Sequence, residues 1–242
     1  MVFGQLVDRR LEWQNFEVTL EDSNLIKVQD ASNYDFPEPL EYETERVVEM
    51  ALGWNHLVVA TANRCHIYEV KNFNTPIIQK ISAPPQLLLL SEKYFLTLES
   101  TNLVTVYKYD GTIVSSPRFN GLRPEMLNQK TVALSNDCVA ILDRTDSKTV
   151  RCFDVITGKP LTGTVVHKTE IVHLALNQSE PTLQERRLSI IDRNSDLFIT
   201  PVMKQPGIFR GMYKLQTQVD TMAWCDTSDM LCAVADGRFV TW

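Results

Sequence analysis

Glycine is scarce in this chain and cysteine has no partner pattern. Only nine glycines occur in 242 residues, scattered singly through turn-like stretches. That excludes a Gly-rich loop able to cradle a phosphate. The five cysteines, Cys65, Cys138, Cys152, Cys225 and Cys232, are odd in number and share no paired spacing. A disulfide framework is therefore not expected, and the sequence predicts reduced, buried thiols in a cytosolic compartment. Histidine is rarer still: His56, His66, His167 and His173 fall into no metal-ligand spacing. Cys65 and His66 are adjacent, so on a strand they point to opposite faces and do not share one metal. No Gly-x-Ser-x-Gly elbow is present. The apolar run Leu87-Leu-Leu-Leu90 is broken by Ser91-Glu-Lys93 and is too short to span a bilayer. A signal peptide is likewise not visible. The net charge of −6 argues against broad binding to nucleic acid or anionic membrane. No long helical periodicity runs through the chain, which leaves an all-β reading.

What the chain does contain is a repeat. Residues 131–167 read as one four-stranded unit. Thr131-Val-Ala-Leu134, Cys138-Val-Ala-Ile-Leu142 and Thr149-Val-Arg-Cys-Phe-Asp154 are strands separated by Ser-Asn-Asp and charged turns, and 161–167 is a looser fourth. The core of the first strand, Val132-Ala-Leu134, is echoed by Met50-Ala-Leu52, Leu174-Ala-Leu176 and Met222-Ala-Trp224, with Leu88-Leu-Leu90 in the remaining slot. The third strand is echoed too, by Tyr68, Tyr107, Phe153 and Trp242 at one position. Steps of roughly 40 to 50 residues match the spacing of four-stranded propeller blades. A small alanine between two large apolar residues suits the crowded inner strand, where blades converge.

With 44% hydrophobic residues the chain has enough apolar material for a sizeable core. The repeat predicts a single all-β region, a WD40-like β-propeller of four-stranded antiparallel blades forming an incomplete ring of four full and two partial blades. Residues 1–46 form a partial blade plus an acidic linker, with Met1 to Val7 and Leu11 to Leu20 each read as one strand. Blades follow over 47–84, 85–120, 121–167 and 168–217, and a partial blade over 218–242. Asp110-Gly111 and Asp236-Gly237 are expected hairpin turns. Both end blades are read as one strand short, so the chain is expected to need neighbouring sequence to close the ring.

Candidate functional residues are few. Residues 35–45 are acidic and marked by Pro37 and Pro39, which exclude a helix interior or a central strand. They predict a solvated connector, and Glu41, Glu43 and Glu45 are the candidates for an acidic ledge that meets a basic partner. Arg186 and Arg187, in a polar insertion over 178–187, are candidates for an exposed contact. Asp143-Arg144 and Asp192-Arg193 both follow second strands and read as a repeated turn feature rather than an acid/base couple. Tyr68, Tyr107 and Phe153 recur at one blade position and so read as core rather than as a base-stacking platform. No catalytic residue, cofactor site or metal site is assigned, and the chain is not read as an enzyme.

Phe153-Asp154 followed by Thr157-Gly-Lys159, with the apolar-Ala-apolar first strands, resembles the WD-repeat family. Tyr68-Glu69 and Tyr107-Lys108 stand in place of the family's Trp-Asp. The Gly-His signal is missing, with only His167 near its place, so the buried Asp-His-Ser-Trp network of that family is not expected in most blades. Trp13-Gln-Asn-Phe-Glu-Val-Thr-Leu20, Lys71-Asn-Phe-Asn-Thr-Pro-Ile-Ile78, Ser115-Ser-Pro-Arg-Phe119 and the run 226–242 resemble the second propeller of the eighty-kilodalton twin-propeller subunits of the intraflagellar transport B complex. That resemblance implies a non-catalytic scaffold in trains that carry cargo along ciliary microtubules. Its partners would be other subunits of that complex, in the cilium, at the ciliary base and in the cytoplasm. A WD-repeat adaptor or coat-like scaffold of another cytoplasmic assembly is the alternative.

Overall fold

The computed structural model describes residues 9–33, 39–42, 44–99, 103–179, 182–203 and 211–242. Their strands form six antiparallel sheets in chain order, five of four strands and one of three. Sheet 1 is β1 (Arg9–Trp13), β2 (Phe16–Asp22), β3 (Leu25–Asp30) and β4 (Leu40–Glu41). Sheet 2 is β5 (Glu49–Gly53), β6 (His56–Ala60), β7 (Arg64–Glu69) and β8 (Asn72–Lys80). Sheet 3 is β9 (Pro85–Leu90), β10 (Tyr94–Glu99), β11 (Leu103–Lys108) and β12 (Ile113–Ser115). Sheet 4 is β13 (Val132–Leu134), β14 (Cys138–Leu142), β15 (Thr149–Asp154) and β16 (Val165–Val166). Sheet 5 is β17 (Ile171–Leu176), β18 (Arg187–Asp192), β19 (Leu197–Pro201) and β20 (Tyr213–Gln216). Sheet 6 is β21 (Val219–Trp224), β22 (Leu231–Ala235) and β23 (Arg238–Thr241). The first strands of successive sheets touch one another, β1 with β5, then β9, β13, β17 and β21. They are the inner ring of a propeller, and each sheet fans outward from it.

Alternation along each strand builds the seams between blades. In β14, Cys138, Ala140 and Leu142 face sheet 5, whereas Val139 and Ile141 face sheet 3. The same two-sided burial recurs from sheet to sheet, giving five apolar clusters, one at each junction from 1/2 to 5/6. Among the described residues no apolar cluster joins sheet 6 to sheet 1. The incomplete ring thus has five hydrophobic seams and two unequal flanks. The flank of sheet 1 carries the ion pairs of Arg10 with Glu12 at 2.7 Å and with Glu17 at 2.9 Å. The flank of sheet 6 carries half-buried Cys232 and Val234, with Phe239 72% exposed.

Two expectations for the first blade are corrected. The run Leu11 to Leu20 is a hairpin rather than one strand, turning at Gln14, whose φ is +51°. The acidic connector, expected to be solvated, supplies the edge strand β4, paired through Leu25↔Glu41 and Ile26↔Leu40. Leu40 packs on the first core cluster and Tyr42 is buried within it, and that apolar pair pins the segment. A proline-marked stretch is tolerated because β4 is an edge, where one side of the ladder is not used. Sheet 1 therefore has four strands instead of lacking one. The expected strand over Met1 to Val7 lies outside the described residues. The turns at Asp110-Gly111 and Asp236-Gly237 are present with positive φ at Gly111, Asp236 and Gly237. Tyr68, Tyr107 and Phe153 are buried. Trp242 keeps the equivalent register, exchanging backbone hydrogen bonds with Leu231, but is 39% exposed.

Candidate functional site

All inner strands run in the same sense, so the turn joining the first and second strands of every sheet lies on one face. These turns, joined in sheet 3 by Tyr109 from the turn between its third and fourth strands, are in contact from sheet to sheet. Trp13, at the turn of sheet 1, lies against Gly53 in sheet 2. His56 stacks on Tyr109 of sheet 3, with ring centroids 3.6 Å apart and planes within 5°. Asn136 in sheet 4 accepts from the Lys93 N–H at 3.0 Å and donates to Glu92 at 2.8 Å, joining sheets 3 and 4. Sheets 4 and 5 meet through Arg186, whose Nε and Nη2 donate to the two oxygens of Asp137 at 2.8 and 2.9 Å. Its Nη1 donates to the Asn177 carbonyl. Sheets 5 and 6 meet through Arg187 and Asp229 at 2.6 Å. The belt continues to sheet 1, where the Trp13 indole N–H interacts with the Asp226 carboxylate. Burial raises the pKa of Asp226, and this contact pulls against it.

Arg186 therefore overturns one expectation. Predicted at the surface, it has 0% exposure. Its charge is tolerated in the interior because a bidentate carboxylate and a backbone carbonyl satisfy the guanidinium. Arg187 remains partly exposed at 40% of its side chain. Glu41 is exposed and Glu45 is half-buried, 3.4 Å from Arg64 and 3.9 Å from His66. Glu43 lies outside the described residues. Arg187 pairs with Asp229 in the belt, whereas Glu45 pairs with Arg64 of sheet 2.

The second-strand aspartates are the repeated turn feature that the sequence suggested. Asp143 Oδ1 accepts from the backbone and hydroxyl of Thr145 at 2.9 and 2.6 Å, and Oδ2 accepts from Arg151 at 2.8 Å. Arg151 in turn lies 4.9 Å over the Phe119 ring. In sheet 5, Asp192 Oδ1 accepts the N–H groups of Asn194 and Asp196 at 2.9 and 3.0 Å. Its Oδ2 takes the Thr169 hydroxyl at 2.5 Å and His167 Nε2 at 3.2 Å. Burial pushes both aspartates upward, but these donors outweigh it and hold both below the usual carboxylate range. Phe198 packs 4.5 Å from the His167 ring. Sheet 5 thus keeps the His–Asp core of a WD-type network, with Phe198 on the third strand in place of the tryptophan. Sheet 4 substitutes Arg151 for the histidine.

The thiols are all free. Cys65, Cys138 and Cys152 are buried as expected, whereas Cys225 and Cys232 are only half-buried. Burial pushes Cys65 up to about 12. Hydrogen bonds from Ser228 and Thr227 draw Cys225 down to about 7. Among the described residues no group of three or more His, Cys, Asp or Glu side chains is placed to hold a metal ion, and no helix is long and apolar enough to cross a membrane.

Six radially arranged antiparallel sheets with a relict His–Asp network define a WD-like β-propeller. Solved propellers agree in fold. The chain superposes on Hsv2p of Kluyveromyces lactis with a TM-score of 0.61 at 16% identity, covering 97% of this chain and 78% of that one. It superposes on BBS1N, solved in complex with ARL6DN, with a TM-score of 0.61 at 9% identity, covering 93% of this chain and 73% of that one. A family model for the IFT80 second beta-propeller matches residues 8–242. The intraflagellar transport protein 80 homologs of Mus musculus and Rattus norvegicus are each 40% identical to it over 100% of this chain. The chain belongs to the IFT80 second β-propeller family. It spans 31% of the length of those two relatives.

Proposed function

We propose that this chain is a rigid, non-catalytic interaction module of the intraflagellar transport B complex, supporting cargo transport along ciliary microtubules and cilium assembly. The observation that carries the reading is 40% identity to intraflagellar transport protein 80 homologs across the whole chain. The physical features agree with it. Apolar seams and a polar belt lock the blades, so turns and outer strands are presented in fixed geometry. The polar side chains of the belt and of the second-strand aspartates are used in structural hydrogen bonds. Its partners are other subunits of that complex, met in the cilium, at its base and in the cytoplasm. Glu41, Glu43, Glu45 and Arg187 are the proposed contacts.

The test is affinity recovery from ciliated cells with the full chain as bait. Wild type should recover transport subunits. Glu41→Lys with Glu43→Lys and Glu45→Lys, and separately Arg187→Glu, should reduce that recovery in a salt-dependent way. Full recovery by both variants would remove these contacts. Recovery of a different assembly in place of transport subunits would overturn the scaffold assignment itself.

A further inference from the structure

The seam between sheets 2 and 3 is apolar except for one polar pocket. The pairs Phe95↔Tyr107, Thr97↔Thr105 and Glu99↔Leu103 put Thr97, Glu99, Thr105 and Tyr107 on the same face of sheet 3. That face, which also carries Leu88 opposite Thr97, packs on Cys65, Ile67 and Ile81. Thr97, Glu99 and Thr105 are 0%, 1% and 2% exposed. Glu99 Oε2 accepts the Ala83 N–H at 3.2 Å. Glu99 Oε1 and both threonine Oγ1 atoms have no protein partner within hydrogen-bond geometry. The Tyr107 hydroxyl interacts with both threonines, and its ionisation is opposed by burial and then by the charge of Glu99. Three buried oxygens without a well-formed hydrogen bond, on one face of sheet 3 around the Tyr107 hydroxyl, call for a further partner.

We propose that this pocket binds an internal water molecule, which bridges Glu99 Oε1 to the Thr97 and Thr105 hydroxyls with the Tyr107 hydroxyl beside it. Two to four polar neighbours are what a buried water requires. A hard cation would need about six oxygens and the negative charge to offset its own, and the cluster offers one carboxyl. Burial raises the pKa of Glu99, and two backbone donors, Ala83 and Ser82, pull against it. The water donates to Glu99 Oε1 and to one threonine hydroxyl, and accepts from the other. The water is then part of the joint between the two blades.

A crystal structure of the full chain tests this directly. The expected result is one density peak at about 2.6–3.2 Å from Glu99 Oε1 and from both threonine hydroxyls. It should persist in Glu99→Gln, whose amide keeps a polar atom at the same place, and vanish in Thr97→Val with Thr105→Val. Unfolding midpoints should be equal in sodium, potassium, calcium and choline chlorides at matched ionic strength. Contacts of about 2.3–2.6 Å, or a midpoint that rises with one cation, would make it a cation site and overturn the proposal. So would a wild-type pocket with no peak.

Discussion

His167 sets its Nε2 3.2 Å from Asp192 Oδ2, linking the segment that leaves sheet 4 to the end of the second strand of sheet 5. His167 is 9% and Asp192 2% exposed. One carboxylate therefore satisfies a ring nitrogen, a hydroxyl and two turn N–H groups. Replacing it strands all of them. Asp192→Ala is expected to destabilise the chain by about 3 kcal/mol, because several buried donors lose their acceptor together. His167→Gln, which leaves the other donors in place, should cost less. Urea unfolding of both variants checks the order.

Arg186 and Asp137 provide a second test. Breaking a buried pair from one side leaves an uncompensated charge and costs about 3–5 kcal/mol, whereas removing both partners costs much less than the sum. Asp137 is 21% exposed at its side chain, so water relieves some of that penalty and the lower end is expected. Arg186→Met, Asp137→Leu and the double variant form a cycle, read by chemical denaturation. Additive single effects would mean that the two side chains act independently.

Acid should weaken the fold through His173. Burial, reinforced by Lys130, lowers its pKa from 6.5 to about 4. A base whose folded pKa is depressed binds its proton more readily in the unfolded chain. Its contribution is complete above pH 6.5, falls away as the pH drops towards 4, and changes no further below that. His173→Gln should flatten the stability profile in that window. Thermal melts at closely spaced pH values measure it, and an unchanged slope would rule out His173 as the source.

Ala133 pairs with Ala140 in the inner ring and packs against the sheet 4/5 cluster. Added volume there has sheet on two sides. Ala133→Leu is expected to overpack and to destabilise by about 1–3 kcal/mol, checked by the shift in denaturation midpoint. Ala223, exposed on the last inner strand, should accept the same change almost neutrally.

The repeat was legible because the pattern is local. Val132-Ala133-Leu134 and its echoes carry their own alternation, and Asp236-Gly237 carries its own turn. The β1–β2 hairpin was missed although its signal is present. Apolar residues fall at Leu11 and Trp13, then change parity to Phe16, Val18 and Leu20, and a single strand does not change parity. β4 was missed because two residues beside prolines have no periodicity to read. The burial of Arg186 had no sequence signal at all. Its partner Asp137 lies 49 residues away, and an Arg-Arg pair in a polar stretch looks the same whether one side chain turns inward or not. The His167–Asp192 pair was half visible, as a histidine near its expected place without the preceding glycine.

The unequal junctions between sheets make the molecule behave mechanically like a split washer. Among the described residues, five gaps are glued by apolar clusters that resist separation, while at the opening between sheets 6 and 1 only Trp13 reaches towards Asp226. Hoop stress applied to such a body gathers at the weak gap. In this stretch taken by itself, a pull on any blade is expected to change the aperture between Trp13 and Asp226 before it parts the five apolar joints.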